Sequence, residues 1–165
     1  MKSKMKKTLA LAMVCVMMLL CTACAASQAE DKVITEGALN ITLTDAFTKE
    51  SYDGYDFVYQ SNKIMVMGVC ETQQQFNEVG MTVGTVREYA KLCMDAHGTD
   101  VSLQTADSYV YCEYEETVQG QNFCYYAAFY NNGDNYWVLS FATLKNDYES
   151  QKATIEKFAS SVTYN

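Results

Sequence analysis

Apolar and polar positions alternate with the period of a strand through much of this chain, interrupted by two stretches with the period of a helix. Ile41-Thr42-Leu43 predicts a short strand and residues 55–60 a longer one. Asn62 opens a turn into residues 64–70, apolar enough for the middle of a sheet. Residues 72–83 are polar and irregular and predict a loop. Thr85 with Glu88 three positions on is a capping box, in which each side chain satisfies the other residue's free backbone N–H. Val86, Tyr89, Ala90, Cys93 and Ala96 follow at helical spacing, and Gly98 supplies the stop. A second helix is predicted from Asn146, with Glu149 three residues later and Tyr148, Ile155, Phe158, Ala159 and Val162 as its buried stripe. Residues 162–164 then form a short last strand.

Between the helices lies a meander of four predicted strands, at 101–104, 109–117, 122–130 and 136–143. A two-residue loop at Gln119-Gly120 sets Val110 opposite Phe129, Cys112 opposite Ala127 and Tyr114 opposite Tyr125. On the other face it sets Tyr111 opposite Ala128, Glu113 opposite Tyr126 and Glu115 opposite Cys124. The first face is apolar, while the second mixes tyrosine with carboxylate. Cys112 and Cys124 then point to opposite faces and cannot bridge. At residues 131–135, Asn-Gly favours a tight turn, whereas a longer loop buries Trp137 and Phe141 beside Phe129 and Tyr125; the longer loop is preferred. The expected fold is α+β: one domain over residues 40–165, with an antiparallel sheet of about six to seven strands packed by two main helices as an α/β/α sandwich.

The first 39 residues read differently. Lys2, Lys4, Lys6 and Lys7 precede a charge-free apolar run over 8–20 and then Leu19-Leu20-Cys21-Thr22-Ala23-Cys24. A basic start, a short apolar centre and a small-residue cleavage site define an export signal, and the run is too short to span a bilayer. Cys24 sits where a lipoprotein signal peptidase leaves an acylated, palmitate-bearing cysteine. Residues 1–23 are therefore expected to be a lipoprotein signal peptide and 24–39 a flexible tether, placing the domain at the cell membrane on the extracytoplasmic side. Ala23-Cys24-Ala25 also fits ordinary secretion, which would release a chain starting at Ala26.

Removing that leader changes the charge. It holds four of the twelve basic residues and none of the twenty acidic ones, leaving eight against twenty, a formal charge of −12. A body this acidic does not suit nucleic-acid backbones, which need clustered Lys and Arg. Anchoring therefore falls to the lipid, and the expected partners are the membrane through that lipid and an envelope protein, with the domain itself monomeric. Cysteines shrink from seven to Cys70, Cys93, Cys112 and Cys124, enough for two disulfides in three connectivities or for buried free thiols.

Candidate chemistry is sparse. His97 is the only histidine, with Cys93 four residues earlier on the same predicted helix, but no third or fourth ligand has metal-site spacing. Tyr109, Tyr111, Glu113, Tyr126 and Tyr130 mark a tyrosine-bearing sheet face that could take a small molecule or glycan. Glu115 and Glu116 add carboxylate beside it. Residues 53–56 and 131–135 lack the alternation of a calcium loop, and Met65 and Met67 fit one sheet face better than a soft-metal site. No phosphate loop, nucleophile elbow or zinc-protease helix is present, so neither a catalytic set nor a cofactor is expected.

The order of elements resembles the PsbP/Mog-like fold, which includes the DcrB- and LpqN-type lipoproteins. The resemblance rests on Ile41-Thr42-Leu43 with Phe47, a T-x-x-E-Y helix start at Thr85–Tyr89, the meander ending in Tyr136-Trp137-Val138-Leu139-Ser140-Phe141, and a terminal helix closing into Phe158-Ala159-Ser160-Ser161-Val162-Thr163-Tyr164. It implies an antiparallel sheet between helices and a non-enzymatic binding or accessory role in an exported compartment. It carries no shared catalytic residues.

Overall fold

The Gln119-Gly120 turn sets the frame of the molecule in the computed structural model, which describes residues 29–165. Gln119 (φ 51°) and Gly120 (φ 79°) both take the left-handed region, the requirement of a type I′ hairpin turn. This turn joins β7 (Val110–Val118) to β8 (Gln121–Asn131) in the register argued above, from Val110 opposite Phe129 to Glu115 opposite Cys124. Its neighbours complete a seven-stranded antiparallel sheet in the order β3-β4-β5-β9-β8-β7-β6. They are β3 (Thr48–Glu50), β4 (Phe57–Gln60), β5 (Met65–Thr72), β6 (Gln104–Thr105) and β9 (Asn135–Leu144).

One face of that sheet carries Val58, Met67, Cys112, Tyr125, Ala127 and Phe129. It is covered by α1 (Gln73–Glu78) and α2 (Val86–His97), which bury Phe76 and Tyr89 against Tyr136. α2 has the expected Thr85–Glu88 capping box and closes on Gly98 in the left-handed conformation. The segment expected to be a loop at 72–83 contains α1, with its own capping box from Thr72 and Gln75. Its short run is polar except for Phe76, so it shows no amphipathic stripe to read.

The other face carries Tyr126, Ala128, Tyr130, Trp137, Leu139 and Phe141. It is covered by α3 (Lys145–Ser160) and by a second sheet of β1 (Asp31–Glu36), β2 (Leu39–Thr44) and β10 (Thr163–Tyr164), in the order β1-β2-β10. Leu39, Ile41 and Leu43 of β2 point into this layer, each fully buried. The expected tether over 24–39 is corrected here, because Asp31–Glu36 is a strand. Only Ile34 among its residues is buried, so a single inward apolar position was all the pattern offered.

Three further expectations change. Trp137 pairs with Tyr130 and Phe141 with Tyr126, which places both on the α3 face instead of beside Phe129 and Tyr125. The longer loop expected at 131–135 is corrected too: Asn131 pairs with Tyr136 and the Asn132 N–H donates to the Asn135 carbonyl at 3.1 Å, so Gly133 and Asp134 make a tight link. The register differs by one residue from the one that packing needs, and a one-residue shift moves every side chain to the opposite face. The third helix begins at Lys145, its N-cap being Leu144 with no side-chain cap bond, so Asn146 lies inside the first turn. The leader and Cys24 fall outside the described residues. No helix among the described residues is long and apolar enough to cross a membrane.

Candidate functional site

The tyrosine-bearing face forms as the register requires, and its members come together. Tyr111 stacks on Tyr126 with ring centroids 4.8 Å apart and planes 10° from parallel, and Tyr109 lies 5.3 Å from Tyr130. The Tyr109 and Tyr126 hydroxyls are 3.1 Å apart, and Tyr130 donates to the Ala159 carbonyl at 3.0 Å. Tyr109, Tyr126 and Tyr130 are all buried. Burial, followed by the bond to Tyr109, pushes the Tyr126 phenol far above its ordinary value.

Glu113 completes the group from beneath α3. Lys152 donates to both of its oxygens, at 2.8 and 2.9 Å, and Tyr148 donates to Oε2. Partial burial alone would raise the Glu113 pKa. The bonds from Lys152 and Tyr148 and the lysine's charge outweigh it and hold the carboxyl below the ordinary range. Of the expected ligand face, Tyr109, Tyr126 and Tyr130 are buried and Glu113 is held by α3, while Tyr111 stays half-exposed with its hydroxyl donating to Gln104 at 2.8 Å. A strand face can show polar groups in sequence and still be covered, because what covers it lies elsewhere in the chain.

This carboxylate makes stability depend on acid. A depressed folded-state pKa contributes stability above the unfolded value and loses it as pH falls through the folded value. The stability gap between the native chain and E113Q should therefore be widest near neutral pH and close below the ordinary carboxylate range. Urea midpoints measured across that range check it; a gap independent of pH would show that Glu113 is not held ionised by α3.

The remaining candidates sit on the opposite face. His97 closes α2, its Nδ1 2.6 Å from the Thr99 hydroxyl and its Nε2 3.9 Å from Glu116 Oε2, with its ring 5.3 Å from that of Tyr114. Cys93 packs into the core beside Tyr89, and burial pushes its thiol far up. Among the described residues no group of three or more His, Cys, Asp or Glu side chains is placed to hold a metal.

Cys70, Cys93, Cys112 and Cys124 are free, and Cys112 and Cys124 belong to opposite layers. Burial raises every one of these thiols, Cys70 to about 11 and Cys112 to about 12. Thiolate chemistry needs the opposite shift.

Two features escaped the sequence reading. Glu71, at the end of β5, has its carboxyl pKa raised, chiefly by burial, with Tyr89 pulling it down and Asp56 adding to the rise. Asp56 itself accepts from the Cys70 backbone N–H at 2.6 Å. Beside it an open cleft of about 530 Å³ is lined by Lys49, Tyr52, Tyr55, Asp56 and Phe57. The Asp53-Gly54-Tyr55-Asp56 run was the only signal, and it marks the turn that shapes the cleft.

A twisted antiparallel sheet with helices on both faces, one of them reinforced by a small second sheet, defines the PsbP/Mog-like fold. Cyanobacterial PsbP (CyanoP) from Synechocystis sp. PCC 6803 matches over 88% of this chain and 99% of its own, with TM-score 0.58 and 13% identity. The Ran-binding protein Mog1p of Saccharomyces cerevisiae matches over 83% and 96%, with TM-score 0.53 and 11% identity. LpqN, a Mycobacterium tuberculosis protein involved in cell envelope biogenesis, matches over 83% and 91% at TM-score 0.43 and 6% identity, too distant to bear on what this chain does. No family model and no curated protein sequence matches the chain.

Proposed function

We propose that this chain is an exported lipoprotein, anchored through an acylated Cys24, whose domain serves as a non-enzymatic binding or accessory module on the extracytoplasmic side of the cell membrane. The observation that carries it is the position of β1. Its first residue, Asp31, follows the lipobox-like Thr22-Ala23-Cys24 by about seven residues, a reach of at most roughly 25 Å when fully extended. Anchoring at Cys24 would hold the domain close to the bilayer. Two or more acyl chains suffice for stable attachment, and a body of charge −12 gains nothing from anionic lipid. The raised thiols, and His97 held against Thr99 at the end of α2, support a non-catalytic role.

Mass spectrometry of the N-terminus tests the anchor. A diacylated or triacylated peptide beginning at Cys24 is expected in the membrane fraction, and C24S should move the protein out of that fraction. An unmodified N-terminus at Ala26 would overturn the reading.

A further inference from the structure

We propose that β1 is a pairing edge through which two copies of this chain associate, antiparallel strand to strand. β1 is the longest strand with an unpaired edge among the described residues. Near its centre stands Val33, 63% exposed and the more exposed of the two large apolar side chains left in solvent among the described residues.

The direction of the backbone groups follows from the β1–β2 ladder. Asp45 donates to the Glu30 carbonyl at 2.8 Å, and Glu36 and Leu39 flank the two-residue turn at Gly37. Bonding alternates along an antiparallel pair, so Lys32, Ile34 and Glu36 bond to β2. Asp31, Val33 and Thr35 then turn their N–H and C=O groups to the free side. Exposed edges are commonly blocked by charge, and here the acids at both ends are already answered within the chain. Lys157 holds Asp31 at 2.8 Å, and Lys49 holds Glu36 at 2.5 Å. What remains is Val33 near the middle, with the exposed Lys32 beside it on the other face of the strand.

A second copy fits this edge in one register. With Val33 opposite Val33 of the second copy, Asp31 faces Thr35 and Lys32 faces Ile34 in both directions, and about six ladder hydrogen bonds form. Shifting two residues one way sets Lys32 against Lys32; shifting two the other way leaves Asp31 against the turn and loses a third of the bonds. Twofold symmetry makes each contact occur twice, as in most homodimers. This replaces the expectation of a monomeric domain.

Sedimentation of the processed full chain, isolated with whichever N-terminus it carries, tests the pairing, so a secreted, unacylated chain would overturn the anchoring proposal and leave this test intact. A reversible dimer is expected. V33K should weaken it about tenfold or more, since a charge replaces the contact on the twofold axis. T35P should weaken it similarly, because it removes an outward N–H and leaves the β1–β2 ladder whole. V79K, at the other exposed valine, should leave it unchanged. V33C should be joined to its copy by a short thiol-to-thiol crosslinker and V79C should not. Circular dichroism confirms that each variant is folded. A chain that sediments as a monomer at about 300 µM with no crosslink at V33C, or a dimer indifferent to V33K, would overturn the proposal.

Discussion

Replacing Phe158 by alanine should cost about 3–5 kcal/mol of stability, the range for emptying a fully buried aromatic site. Phe158 is 2% exposed and lies where three layers meet: α3 that carries it, the main sheet, and the small sheet of β1, β2 and β10. Its ring meets that of Phe47 edge-on at 5.6 Å, with an interplanar angle of 83°. Ser161, three residues on, donates to the Phe158 carbonyl at 2.6 Å and accepts from the Thr42 backbone N–H at 2.9 Å, tying the end of α3 to β2. Loss of the ring should therefore loosen the small sheet first. Hydrogen exchange on F158A should show β1 and β2 amides exchanging through a local opening while β7–β9 amides stay protected. Equal loss of protection in both sheets would mean that the small sheet has no separate opening.

That division also explains how much of the molecule the sequence reveals. The β7–β8 register is legible because turn chemistry and alternation agree: Gln119-Gly120 demands a two-residue loop, and each strand then has one apolar face. β1 is illegible because a strand that shows one inward residue and an exposed edge looks like a tether. α1 carries a capping box in plain sight, but with Phe76 alone buried it lacks the stripe that would have separated a short helix from a polar loop. The sites follow the same logic. Cys93 and His97 can be assigned to core and helix end from spacing. The fate of Tyr109, Tyr126 and Tyr130 depends on where a helix some thirty residues further along comes to rest, which no local pattern encodes.

Gly68 supplies the second large effect. It pairs with Phe57 across β4 and β5, and the Phe57 ring lies directly over its Cα. A Cβ built there would stand 2.2 Å from Cζ, 2.3 Å from Cε1 and 2.8 Å from Cε2. The ring cannot swing aside, being 2% exposed and set between Tyr59 at 6.0 Å and Trp137 at 6.3 Å. A glycine inside a strand often marks a close approach of this kind, so the apolar run over 64–70 owes its one gap to packing. G68A should therefore cost about 3 kcal/mol, at the upper end for forcing a group into a filled core. The cause can be isolated by a double-mutant cycle. F57A alone empties the site and destabilises, but in its presence G68A should cost little, giving a coupling of about 2 kcal/mol in chemical denaturation. If the two costs simply added, the Phe57 ring would not be what excludes a side chain at position 68, since the Gly68 backbone is ordinary extended strand.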